Sequence, residues 1–123
     1  MTLLNDLKTN EQTLIIFDDF ITDIKKFPII SEYFIRGRKK SASIMFLSQS
    51  YYGTPKIIRQ NINYCVILKL GGARDVNSIL RECPIGITKD DLLYMYDKAT
   101  KEKFDVLIIN LEKSCNERYR HIF

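Results

Sequence analysis

The 123-residue chain has a single histidine, an odd three cysteines and no long apolar run, and each shortage removes a class of function. With His121 as the one histidine, there is almost no material for a His-based zinc site or a Ser-His-Asp triad. Cys65, Cys83 and Cys115 share no short metal-ligand spacing, so they read as reduced thiols, two of them in core positions. No apolar stretch approaches the length of a transmembrane helix. The opening Met1-Thr2-Leu3-Leu4-Asn5-Asp6 lacks the basic start and apolar middle of a signal peptide. The expectation is an intracellular protein with no membrane partner.

What is present describes a globular chain. Hydrophobic residues make up 46% and charged residues 28%, enough for one core under two layers of helix and sheet. The net charge of +4 permits nucleic acid as a partner without demanding it.

The chain is organised around Thr13 to Phe20, Thr-Leu-Ile-Ile-Phe-Asp-Asp-Phe. Leu14 to Phe17 read as a strand buried on both faces of a parallel sheet. Asp18 and Asp19 would then stand at its C-terminal end, where open α/β proteins bind ligands. Paired carboxylates at such an end repel each other unless a cation lies near. In isolation the same octapeptide also fits a strand ending in a solvated Asp-Asp turn.

Elsewhere helical and extended patterns alternate. Thr2 to Lys8 has helical spacing. Pro28 suits the start of a helix with Ile29, Ile30, Tyr33 and Phe34 on one face, and Gly37 is expected to end it in a left-handed conformation. Arg36-Gly37-Arg38-Lys39-Lys40 is the densest charge cluster: a solvated helix end, a phosphate contact or a trans-acting arginine. Ser41 to Leu47 reads as a second strand, running into Ser48-Gln49-Ser50. Thr54-Pro55 predicts a cap and start for a short helix over Lys56 to Ile62. Asn63 to Leu70 is a third strand, Asp75 to Glu82 a helix, and Thr88 with Asp91 a capping box for a helix to Thr100. Phe104 to Leu111 is a fourth strand, after which Tyr119, Ile122 and Phe123 can pack back onto the sheet. The pattern predicts a three-layer α/β fold with a mostly parallel sheet, in one domain spanning 1–123.

Three ordered segments carry a resemblance: Leu-Ile-Ile-Phe-Asp-Asp, then Arg-Gly-Arg-Lys-Lys-Ser-Ala-Ser-Ile-Met-Phe-Leu-Ser-Gln-Ser-Tyr, then Pro-Lys-Ile-Ile-Arg-Gln-Asn-Ile-Asn-Tyr-Cys-Val-Ile-Leu-Lys-Leu. Together they resemble the DNA-packaging ATPases of large DNA viruses, of poxvirus, giant-virus and Polinton type, within the FtsK/HerA group of P-loop motors. The resemblance implies a RecA-like P-loop core, Mg²⁺ and ATP as cofactors, a homo-oligomeric ring and double-stranded DNA as partner. Its setting would be host cytoplasm, viral factory or virion. Asp18 would hold Mg²⁺ through water, Asp19 would take the catalytic acid position, and Gln49 would be the polar sensor. Arg38, with Arg36 as competitor, would be the arginine directed into a neighbouring subunit. Arg59 and Asn61 match residues typical of the viral group, with no chemical role implied.

The phosphate-cradling loop Gly-x-x-x-x-Gly-Lys-Ser/Thr is absent from the 123 residues. Gly37-Arg38-Lys39-Lys40-Ser41 does not replace it, because no lysine directly follows the glycine and Glu32 stands where the first glycine is needed. The expectation is therefore the C-terminal half of such an ATPase, from the acidic strand onward and inactive alone. A missing N-terminal half or companion subunit would complete it. A non-catalytic interaction or regulatory remnant is the alternative reading. A phospho-receiver fits less well, because Gln49, Leu70 and Asn110 occupy the later strand tips where an acceptor aspartate is needed.

Overall fold

A computed structural model describes residues 7, 11–18, 27–71, 73–82, 86–114 and 117–122. They fall into two compact units, Met1–Asn61 and Ile62–Phe123. The expected helix over Thr2 to Lys8 lies outside the described residues apart from Leu7, and so do Cys83 and Cys115.

In the first unit, β1 (Thr13–Asp18) pairs in parallel with β2 (Ala42–Leu47), from Thr13 opposite Ala42 to Asp18 opposite Leu47. The crossover contains α1 (Phe27–Arg36) and a 3-10 helix over Gly37–Lys40. Ile30 and Tyr33, three residues apart on α1, are buried against Phe17 of β1 and Ile58 of α2 (Lys56–Arg59). Ile15, Phe34, Ile44 and Phe46 pack around them. Phe17 meets Tyr33 edge to face, centroids 5.5 Å apart, an arrangement worth about 0.5–1.5 kcal/mol beyond area burial.

That face holds the odd-numbered residues of β1. The other is open: Leu14 is 58% and Ile16 52% exposed, with Met45 and Leu47 of β2 beside them. The strand expected to be buried on both faces therefore buries one within its unit. Among the described residues β1 and β2 pair only with each other.

Gly37 does not adopt the left-handed turn expected of it. The positive φ falls on Ser41, at 51°, after the 3-10 helix. A Cβ on Gly37 would lie 3.2 Å from the Ile44 side chain, so close approach to β2 is what favours glycine there. The hydroxyl of Thr54 likewise does not cap α2, whose N-cap is Pro55 without a side-chain hydrogen bond.

In the second unit, β3 (Tyr64–Ile67), β4 (Val106–Asn110) and β5 (Tyr119–Ile122) form an antiparallel sheet in the order β3-β4-β5. The largely parallel sheet expected from alternating strands and helices is thus replaced here by antiparallel pairing. Two helices, α3 (Ala73–Glu82) and α4 (Lys89–Ala99), lie between β3 and β4. A two-helix excursion returns the chain at either end of its partner strand, and strand length and periodicity carry no direction. The C-terminal segment expected only to pack back is itself the strand β5. Cys65, Ile67, Leu107 and Ile109 are buried in this unit, as are Val76, Ile79, Leu92, Tyr96 and Ala99. Thr88 caps α4 as expected, its Oγ1 accepting the Asp91 N–H at 3.1 Å, but the box is not reciprocal: Asp91 Oδ2 accepts from the Thr88 hydroxyl at 2.7 Å and not from its backbone N–H. No described helix is long and apolar enough to cross a membrane.

Candidate functional site

Because β1 and β2 run the same way, their C-terminal ends emerge at one edge of the pair. The register sets Asp18 beside Leu47, and Gln49 follows two residues on in the bend that leaves β2. Paired strands lie about 4.8 Å apart, so the Asp18 carboxylate and the segment carrying Gln49 share that edge. Both residues are exposed. Asp19 lies outside the described residues. No group of three or more His, Cys, Asp or Glu that could hold a metal occurs among the described residues. Asp18 is an exposed, hard oxygen donor at a strand end, which fits Mg²⁺, an ion usually held by one or two carboxylates with water and phosphate oxygens completing its shell.

The loop that carries Gln49 is held by its own side chains. Ser48 Oγ donates to the Ser50 carbonyl at 2.8 Å and accepts the Ser50 N–H at 3.2 Å. Ser50 Oγ accepts the Gly53 N–H at 3.1 Å. The buried Thr54 places Oγ1 3.0 Å from the Ser50 carbonyl and 3.1 Å from Ser48 Oγ. Arg59 Nε donates to the Thr54 carbonyl at 2.8 Å, and its guanidinium lies 5.4 Å from the Tyr51 ring centroid. Asn61 Nδ2 donates to the Ile57 carbonyl at 2.7 Å, closing the end of α2. Arg59 and Asn61, which the sequence marked without a role, thus fasten this loop and its helix. The serines and Thr54 were missed as a set; their only trace was a run of hydroxyl residues between a strand and a proline.

Arg38 stands at the other end. It precedes β2, whereas Gln49 follows it, and the six residues of β2 span roughly 20 Å at about 3.3 Å each. An arginine side chain does not cover that distance, so Arg38 cannot meet Asp18 of its own chain at this edge. Arg36 is engaged locally with Glu32 at 2.9 Å, one helical turn back.

These features define a mixed α and β chain with an acidic strand end beside a braced polar loop. Residues 3–123 match the family described as Poxvirus A32 protein, and the chain belongs to that family. Over 95 residues, 77% of the chain, it is 28% identical to the DNA packaging protein OPG160 of Variola virus and to that of the isolate Human/India/Ind3/1967. The matched region is 35% of those relatives, so the chain spans about a third of their length. No solved structure matches it.

Proposed function

We propose that the chain contributes the metal- and water-handling part of an ATP hydrolysis site in a viral DNA-packaging motor. The observation that carries this reading is the parallel register that brings Asp18 and the Gln49 loop to one edge. Family membership supports it, as does the printed name of the variola relative, a DNA packaging protein. The proposed fold is a RecA-like P-loop core whose phosphate loop comes from outside these 123 residues, through an N-terminal half or a companion subunit.

In this reading Asp18 holds Mg²⁺ through water, and Asp19 orients the attacking water and takes its proton. Gln49, on a loop held by Thr54 and Arg59, contacts that water or the terminal phosphate. Arg38 acts in a neighbouring subunit of a ring, where arginine fingers are worth about 10³ to 10⁵ in rate. Bound Mg²⁺ would neutralise charge on the phosphates. Basic segments contact double-stranded DNA through its phosphates, without reading sequence.

The test is reconstitution. The purified chain alone is expected to show no ATP turnover. Supplied with the phosphate-loop segment of a longer relative, it is expected to hydrolyse ATP and to lose that activity on Asp19→Asn. Turnover by the chain alone that vanishes on Asp19→Asn would contradict the division of the site. Absence of turnover in the reconstituted complex would favour the second reading, a non-catalytic interaction domain, which the missing glycine-lysine loop supports.

A further inference from the structure

In the second unit, β4 has a neighbour on each side, and among the described residues β3 and β5 are the edges of the sheet. The two edges differ. β5 carries the exposed cation Arg120, a charge of the kind that keeps an edge strand from pairing with another chain. From Tyr64 to Leu68, the β3 edge has no charge, proline or glycine.

The ladder fixes what this edge offers. The Asn63 carbonyl accepts the Leu111 N–H at 2.8 Å, and in antiparallel pairing such bonds recur at every second residue. Cys65 and Ile67 therefore exchange hydrogen bonds with Ile109 and Leu107 of β4, and the N–H and C=O groups of Tyr64 and Val66 face away from it. The same positions carry the open side chains. Tyr64 is 55% and Val66 54% exposed, with Leu68 following at 49%, whereas Cys65 and Ile67 are buried. Outward backbone groups and exposed apolar side chains thus coincide along one neutral edge.

The occupant follows from symmetry and charge. Antiparallel pairing of this edge with itself, centred on Val66, sets Val66 opposite its own copy and Tyr64 opposite Leu68 of the second chain, so only uncharged side chains meet. At each end, Lys69 then lies opposite Asn63 of the second chain, whose Nδ2 donates to Glu112 Oε1 at 2.7 Å. Lys69 can make that contact, because its ion pair with Asp97, at 3.8 Å, is exposed on both sides and holds it only weakly. A cation arrives beside a carboxylate at both ends, a match that an unrelated neutral strand does not supply. We propose that two copies of the chain join through β3, antiparallel about a twofold axis at Val66, so that their second units share one continuous sheet. The contact is isologous and closes at two copies. It stands on the second unit alone and does not depend on the Asp18 edge.

The test uses the purified 123-residue chain, unmodified and with Leu14→Lys and Met45→Lys, which remove the exposed apolar face of the first unit as a cause of association. Sedimentation equilibrium of the substituted chain is expected to show a reversible monomer–dimer system. In both chains, the Tyr64 and Val66 amides are expected to be protected from exchange in concentrated solution and to lose that protection on dilution, while Cys65 and Ile67 stay protected throughout. Val66→Lys and Val66→Glu, added singly to the substituted chain, are each expected to abolish the dimer, because like charges meet on the axis. An equimolar mixture of the two is expected to restore it. A substituted chain that stays monomeric overturns the proposal, as does assembly beyond two copies or Val66 protection that dilution leaves unchanged. So does a dimer that survives in Val66→Lys and Val66→Glu separately, or one that their mixture fails to restore.

Discussion

Arg59 fastens the loop after β2 to α2 through the Thr54 carbonyl. Its Nε bonds the carbonyl of Thr54, a residue only 8% exposed, so truncation leaves a buried acceptor without that partner. Arg59→Ala is expected to cost about 1–3 kcal/mol, read as a lower melting temperature, with faster amide exchange over residues 48–54. Arg59→Lys is expected to recover little, because a lysine has no fork to bond Thr54 while lying over Tyr51. Unchanged exchange in Arg59→Ala would show that the loop is held by other means. At this scale the sequence was partly legible. Asp18 and Gln49 stood out because strand tips in α/β proteins carry ligand groups. The hydrogen bonds around Thr54 did not, because hydroxyl pairing depends on a loop path that no periodicity encodes. Arg38 was legible as a cation, but only the strand direction shows that it lies away from its own chain's acidic edge.

Turn and cap positions decide the elements. At Gly37 an added methyl would sit 3.2 Å from Ile44, while alanine would gain about 0.4–1 kcal/mol through the unfolded chain. These effects oppose each other, so Gly37→Ala is expected to be near neutral. Gly37→Val is expected to destabilise by about 1–3 kcal/mol through overpacking. Urea unfolding of the two variants checks this, and equal stability would contradict the close-approach account. At the start of α4, Thr88→Ala is expected to cost about 1 kcal/mol and Thr88→Ser much less, since serine keeps the acceptor. The existence of β1, β2, β3, α4 and β4 could be read from apolar blocks and cap residues. The left-handed residue of that turn could not, because a glycine at 37 signals a positive φ or a close approach equally well, and here it serves the close approach to Ile44 while Ser41 takes the positive φ.

For the whole molecule, the determining feature is apolar surface on one face of the parallel pair. Leu14, Ile16, Met45 and Leu47 lie together there, each at least 42% exposed, and the strands have no further partner among the described residues. Open edges beside such a face favour association. The purified chain is expected to self-associate at micromolar concentration and to bind an apolar dye. Leu14→Lys with Met45→Lys is expected to reduce both. A monomeric wild-type chain with a cooperative melt and no dye binding would contradict this. Alternation of strands and helices predicted one mostly parallel sheet; the second unit is antiparallel because strand direction depends on where two helices return the chain.

The central claim is that the acidic end of β1 and the glutamine after β2 meet at one metal-binding edge. Its most direct test is paramagnetic broadening by Mn²⁺ titrated into the isotope-labelled chain. Amides of Phe17, Asp18 and Leu47 to Gln49 should broaden together, those of Gly37 to Ser41 should stay sharp, and Asp18→Asn should reduce the effect. Broadening at Phe17 and Asp18 without Leu47 to Gln49, or centred on Gly37 to Ser41, would contradict it.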